Sequence, residues 1–260
     1  MPRRRTGRAA GVGLVLAALV AALAACGSSA KSSSSSGTGS NVSANPCAGV
    51  TVASAAERGA ARTARIPPAP NTPPITSAPS GPSTYAPWPA PANPMQQACK
   101  AGLVPENAER LEFHVHAHLD VYIDGKPVLV PAGLGIDTKN PGVHLFNTNG
   151  MPAYGGINPP CDTPCISPLH THDVTGILHT ESATRKYNTL GQLFIEWDVR
   201  LTPSCVDTYC EPKTPIAVYV NGARSAGDPR AIPLSNFQQI TIVIGTPPAQ
   251  IPNTGNWNLI

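Results

Sequence analysis

FHVHAHLDVYIDG (113–125) alternates without a break. Phe113, Val115, Ala117, Leu119, Val121 and Ile123 fall on one side, and His114, His116, His118, Asp120, Tyr122 and Asp124 on the other. Successive side chains of an extended strand point to opposite faces, so the pattern predicts a β-strand with one apolar face and one imidazole-rich face. Asp124–Gly125 is a two-residue hairpin signal that leads into PVLV (127–130). GQLFIEWDVRL (191–201), PIAVYVNG (215–222) and QITIVIG (239–245) read as strands in the same way, with Asn221–Gly222 as a second tight turn. Helical spacing is sparse and is confined to PENAERL (105–111), one turn or two, and to an alanine-rich run at 48–65. The expected fold is therefore mainly β: a compact antiparallel β-sandwich or barrel-like domain. LDVYIDGKPVLVP (119–131) and IAVYVNGARSAGDPRAIP (216–233) echo one another, so two similar β lobes are a variant of that architecture.

A second stretch extends the imidazole theme. LHTHDVTGILHTE (169–181) holds three histidines, and the two stretches together contain six of the seven in the chain. Placing Asp173–Gly176 at a hairpin turn sets His172 opposite Ile177 and His170 opposite His179. Directly opposed residues have Cβ atoms about 5 Å apart, so His170, His172 and His179 converge. Glu181 continues on the face of His179. Asp173 and Glu181 are read as acceptors for the outer imidazole nitrogens rather than as ligands. Pairing the 113–120 strand with this hairpin would bring His114, His116 and His118 to the same place. Five or six imidazoles exceed the usual ligand number of one zinc ion, so some are outer-sphere or there are two metals. Imidazole suits zinc, copper, nickel and iron alike, and an all-nitrogen site outside the cell leans towards copper or zinc. His144, in the loop sequence PGVHLFNTNGMPAYGG (141–156), stands apart from both clusters.

The amino terminus sets the compartment. MPRRRTGR (1–8) followed by AAGVGLVLAALVAALAA (9–25) has the basic and apolar regions of a secretory signal. The junction LAAC (23–26) resembles the lipobox of bacterial lipoproteins. That resemblance implies cleavage before Cys26, a covalent lipid on that cysteine and anchorage to the outer face of the cell membrane. Loss of Arg3, Arg4, Arg5 and Arg8 would leave 14 of the 18 Lys plus Arg against 15 acids, a net charge of about −1. No basic field then remains to neutralise a phosphate backbone, which argues against nucleic-acid binding.

The domain plan follows: signal peptide 1–25, flexible lipid-anchored tether 26–46, Ala/Pro-rich spacer or strap 47–98, and a β-rich histidine-containing domain 99–260. Residues 66–94 carry eleven prolines, which exclude a central strand or long helix and suit a semi-rigid spacer or an extended strap. Six cysteines follow Cys26, an even count that in an exported protein points to disulfides. Cys161 with Cys165 and Cys205 with Cys210 are the simplest local bridges, leaving Cys47 with Cys99. A Cys47–Cys99 bridge would favour the strap.

The paired motifs FHVHAHLDVYIDGKPVLVPAGLGI (113–136) and SPLHTHDVTGILHTES (167–182) resemble those of uncharacterised exported or membrane-anchored bacterial and archaeal proteins. The likeness covers roughly residues 111–200 and implies one module holding both histidine clusters, with no reaction attached. Alternating histidines on strands also resemble the zinc site of alpha-class carbonic anhydrases, but that family's other motifs are absent and its activity is not carried over. Nucleophile elbow, P-loop, dinucleotide and H-E-x-x-H signatures are absent too. Three function classes follow: a surface-tethered copper- or zinc-binding protein, an extracytoplasmic metalloenzyme activating water or oxygen, and a cell-envelope structural or adhesion protein. Nothing in the sequence names a protein partner.

Overall fold

The computed structural model describes residues 45–59, 84–148 and 150–260. The expected signal peptide, the expected lipid attachment site Cys26, the expected tether through residue 44 and the proline-rich 60–83 lie outside them. The described chain is mainly β. Its central sheet has seven strands in the order β10-β9-β11-β1-β6-β5, with β2 also paired to β1. The strands are β1 (Phe113–Ile123), β2 (Lys126–Val128), β5 (Leu169–His170), β6 (Ile177–Ser182), β9 (Ile216–Val220), β10 (Ala223–Arg224) and β11 (Gln238–Ile244). Two hairpins complete it: β3 (His144–Thr148) with β4 (Met151–Gly155), and β7 (Cys205–Val206) with β8 (Tyr209–Cys210).

β1 is the axis of the sheet, and its alternation is realised as expected. Ala117, Leu119, Val121 and Ile123 join a core with Leu178, Ile240 and Ile242 and with two short helices, α1 (Pro94–Lys100) and α2 (Leu190–Glu196). The sheet is mixed rather than purely antiparallel, because β11 runs parallel to β1 from Ala117↔Gln238 to Ile123↔Ile244. On the other side β6 pairs antiparallel with the first half of β1, from Phe113↔Ser182 to His118↔Ile177. The two hairpins that echo one another in sequence, β1–β2 and β9–β10, both turn through left-handed residues, Asp124–Gly125 and Asn221–Gly222. Both belong to this one sheet, on either side of β11.

Three sequence readings are corrected. GQLFIEWDVRL is not a strand: residues 190–196 form α2. Thr189 caps it, accepting a hydrogen bond from the Gln192 backbone while the Gln192 side chain accepts one from the Thr189 backbone. This reciprocal box satisfies two amide donors that a helix start leaves orphaned, and it outweighs the β preference of the apolar run. PENAERL is not helical either, since Glu106 is held extended in a bridge to Ile166. The sequence around His144 is a β-hairpin rather than an open loop.

The cysteines pair 47–99, 161–165 and 205–210. Packing begins well before Cys99. Residues 84–98 lie against the body as a strap, with Trp88 buried edge-on to Trp197 at 5.8 Å. Each indole N–H finds an acceptor, Trp88 on Asp207 and Trp197 on the Trp88 carbonyl, both at 3.0 Å. Farther upstream, the Thr189 hydroxyl donates to the Arg58 carbonyl, fixing residues 45–59 to the start of α2. Among the described residues no helix is long and apolar enough to cross a membrane.

Candidate metal centre

The site lies on the polar face at the first half of β1. The register His116↔His179 and His114↔Glu181 between β1 and β6 lines up four polar side chains. On the far side of β6, His170 of β5 faces His179, the pairing the hairpin reading requires. His172 follows just beyond β5 and is held by β4. Its Nδ1 donates to the Tyr154 carbonyl at 2.6 Å, and the Tyr154 amide donates to the His172 carbonyl at 2.9 Å. Three adjacent strands and one hairpin thus deliver five imidazoles and one carboxylate to a single spot.

Two ligand sets result. Ligand atoms of His170, His172, His179 and Glu181 all lie within 4.8 Å of one another, and so do those of His114, His116 and His179. In the first set His170 is wholly buried, and its Nδ1 donates to the Ser167 carbonyl at 2.9 Å. That hydrogen bond fixes the tautomer and turns a bare Nε2 lone pair towards the cluster, the arrangement metal-binding histidines use. The His170 Nε2 and the Glu181 Oε2 are both buried without a hydrogen-bond partner. Leaving such atoms unsatisfied in an interior costs about 1–3 kcal/mol each, so a buried orphan of this kind calls for an explanation.

The electrostatics suit a cation. Burial is the main cause that lowers His170 to about 3 and His116 and His179 to about 4. These three imidazoles are neutral at neutral pH. Burial pushes the Glu181 carboxyl up, but hydrogen bonds from His114 and His179 and the nearby imidazoles outweigh it and hold the group well below the usual carboxylate range. One anion among neutral imidazoles is a donor set that attracts a divalent transition metal. Glu181 enters the cluster directly: its Oε1 is 3.1 Å from His114 Nε2, 3.3 Å from His179 Nδ1 and 3.8 Å from His170 Nε2. It accepts from two imidazoles, as the sequence reading expects, and its carboxylate also falls within the first set of ligand atoms.

Other sequence candidates lie elsewhere. His118 points from the same face of β1, yet its Nδ1 is 2.9 Å from Gln239 Oε1 and its Nε2 is 2.8 Å from the Thr175 carbonyl. Asp173 accepts from the Thr175 amide and hydroxyl at 2.8 and 2.5 Å and so shapes the 173–176 turn. His144 sits exposed at the start of β3.

Sequence reasoning passed over the glycines that let the histidines in. A Cβ on Gly155 would stand 2.9 Å from His172 Nδ1 and 3.1 Å from Glu109 Oε1, and its φ of +151° disfavours any side chain. Gly135 packs as closely on Leu169 and His170. The Gly155–Gly156 doublet was the available signal. A narrow crevice lined by Glu106, Glu109, Arg110, Ser167, His170 and Glu181 borders the buried set.

Fold and site together define a class: a mainly β, disulfide-bonded chain whose buried histidine–glutamate cluster can hold a metal ion. No family model, curated protein or solved structure matches the chain.

Proposed function

We propose that this chain is a lipid-anchored extracytoplasmic protein that binds copper or zinc at His170, His172, His179 and Glu181. One observation carries the reading: the ligand atoms of these four residues lie within 4.8 Å of one another, and the His170 nitrogen among them is buried with no other partner. Three imidazoles and a carboxylate match tetrahedral zinc, and copper(II) binds nitrogen-rich sites of this kind more tightly than neighbouring divalent ions. Three disulfides support an oxidising compartment. The LAAC junction supports membrane attachment through Cys26.

The direct test is metal analysis of the full chain, purified in mild detergent and loaded with copper or zinc. The wild type is expected to retain metal after dialysis, and the double variant His170→Ala/His172→Ala to lose it while keeping the wild-type circular dichroism spectrum. A wild type that retains no metal overturns the proposal.

A catalytic version, in which the metal activates water, rests on the partial exposure of His114, whose side chain is 34% exposed at the rim of the cluster. Water-proton relaxation in the copper-loaded chain separates the two. Strong enhancement marks an open coordination position, and none marks a closed store.

A further inference from the structure

The buried set uses His170, His172, His179 and Glu181, which leaves His114 and His116 unexplained. Their rings are 4.3 Å apart at centroid, and His116 stands 4.6 Å from His179. His114 Nε2, His179 Nδ1 and Glu181 Oε1 form a triangle with sides of 3.1, 3.3 and 3.5 Å. Ligand atoms held at about 2.0–2.1 Å from a tetrahedral ion are about 3.3–3.4 Å apart, so the triangle is nearly one face of such a polyhedron. Hydrogen bonding accounts for part of this closeness, since a neutral imidazole can donate to the Glu181 carboxylate. It does not account for His116, which no hydrogen bond of its ring ties to either neighbour and which nevertheless completes a set of ligand atoms within 4.8 Å.

We propose that the cluster is a two-metal centre: a second ion binds at the outer rim between His114, His116 and His179, beside the inner ion of the proposed function on which this inference rests. His179 belongs to both sets and Glu181 touches both. A carboxylate shared between two ions is the bridge that carboxylate–histidine chemistry offers, and Glu181 has one oxygen among the outer nitrogens and a second that is buried without a partner. Ions in such pairs lie about 3.5–4 Å apart. Two dications at that distance repel, and one carboxylate offsets only part of their charge, so the second ion binds more weakly than the first. The outer ion is also the solvent-facing one, because His114 is the exposed member of the cluster.

The test is a stoichiometric titration of the full chain in detergent with copper(II), followed by metal analysis and electron paramagnetic resonance. The wild type is expected to take two ions per chain in two steps, and the second equivalent is expected to broaden or suppress the signal of the first through magnetic coupling. His114→Ala/His116→Ala is expected to hold one ion, with the inner ion retained and an uncoupled signal. One ion per chain in the wild type overturns this inference and leaves the proposed function standing. Two ions in both proteins, or two uncoupled signals in the wild type, also overturn it. Zero ions in the wild type overturns the proposed function itself.

Discussion

His118 and His170 present the same side chain on the same sheet, and their surroundings give them opposite chemistry. Both are almost fully buried. His118 has an acceptor at each ring nitrogen and is roofed by the C-terminal segment, with Trp257 at 6.2 Å and Gly255 pressed against it. His170 has one acceptor, a main-chain carbonyl, and its second nitrogen meets only other imidazoles and Glu181. One residue closes a hydrogen-bond network with Gln239 and Asp120, while the other holds a lone pair open. Whether a buried histidine is structure or ligand is decided by what faces its second nitrogen.

Substitution should break the contrast most sharply at the two residues themselves. His170→Ala is expected to weaken copper or zinc binding more than about 100-fold, exceeding the loss from removing an outer-sphere partner. His118→Ala should leave metal affinity unchanged and lower stability by about 1–3 kcal/mol through the acceptor it orphans. Chelator competition and urea denaturation read the two quantities separately. Equal losses of affinity in the two variants would erase the distinction.

The packing glycines offer the next comparison. Gly155→Ala should move His172 and reduce metal affinity by about 10–100-fold. Gly255→Ala, whose Cβ would stand 2.8 Å from the His118 Cβ, should loosen the C-terminal segment and lower the unfolding midpoint with metal binding intact. Isothermal titration and thermal melts on both variants check this pairing.

Acid sharpens the difference in the metal-free chain. His170 and His179 titrate near 3 and 4 in the folded protein, against an ordinary value near 6.5 when unfolded. Above pH 6.5 both states are neutral and nothing is lost. Below it the unfolded chain takes up protons first, so stability falls as pH drops from 6.5 towards 4, by up to about 1.4 kcal/mol per pH unit for each imidazole. Glu181, held low, adds to the decline once pH falls below its unfolded value near 4.5. Bound metal should flatten the decline, as denaturation midpoints with and without zinc would show. The smallest effect is expected at His144, exposed and outside both ligand sets, where alanine should change neither affinity nor stability measurably.

Much of this was legible before folding. The strict alternation of β1 separated imidazoles from core, and the turn at Asp173–Gly176 set His170 against His179. What escaped notice was non-local or aperiodic. α2 is buried on nearly every side, so its sequence lacks the polar face that marks a surface helix, and an apolar run of that length reads equally as a strand. Its capping box, Thr189 with Gln192, was the signal that separated the two. The parallel pairing of β11 on β1 joins strands more than a hundred residues apart and leaves no local trace. For the same reason His118 looked like a third ligand: the segment that covers it lies at the far end of the chain.

The Cys47–Cys99 bridge spans 52 residues and fastens the point where the described chain begins to α1. In mechanical terms it is a bypass. A pull applied on the amino-terminal side of Cys47 passes to α1 through a covalent bond, and the chain between the two cysteines carries none of the load. Residues 48–98 are thus bypassed by any strain applied upstream of Cys47.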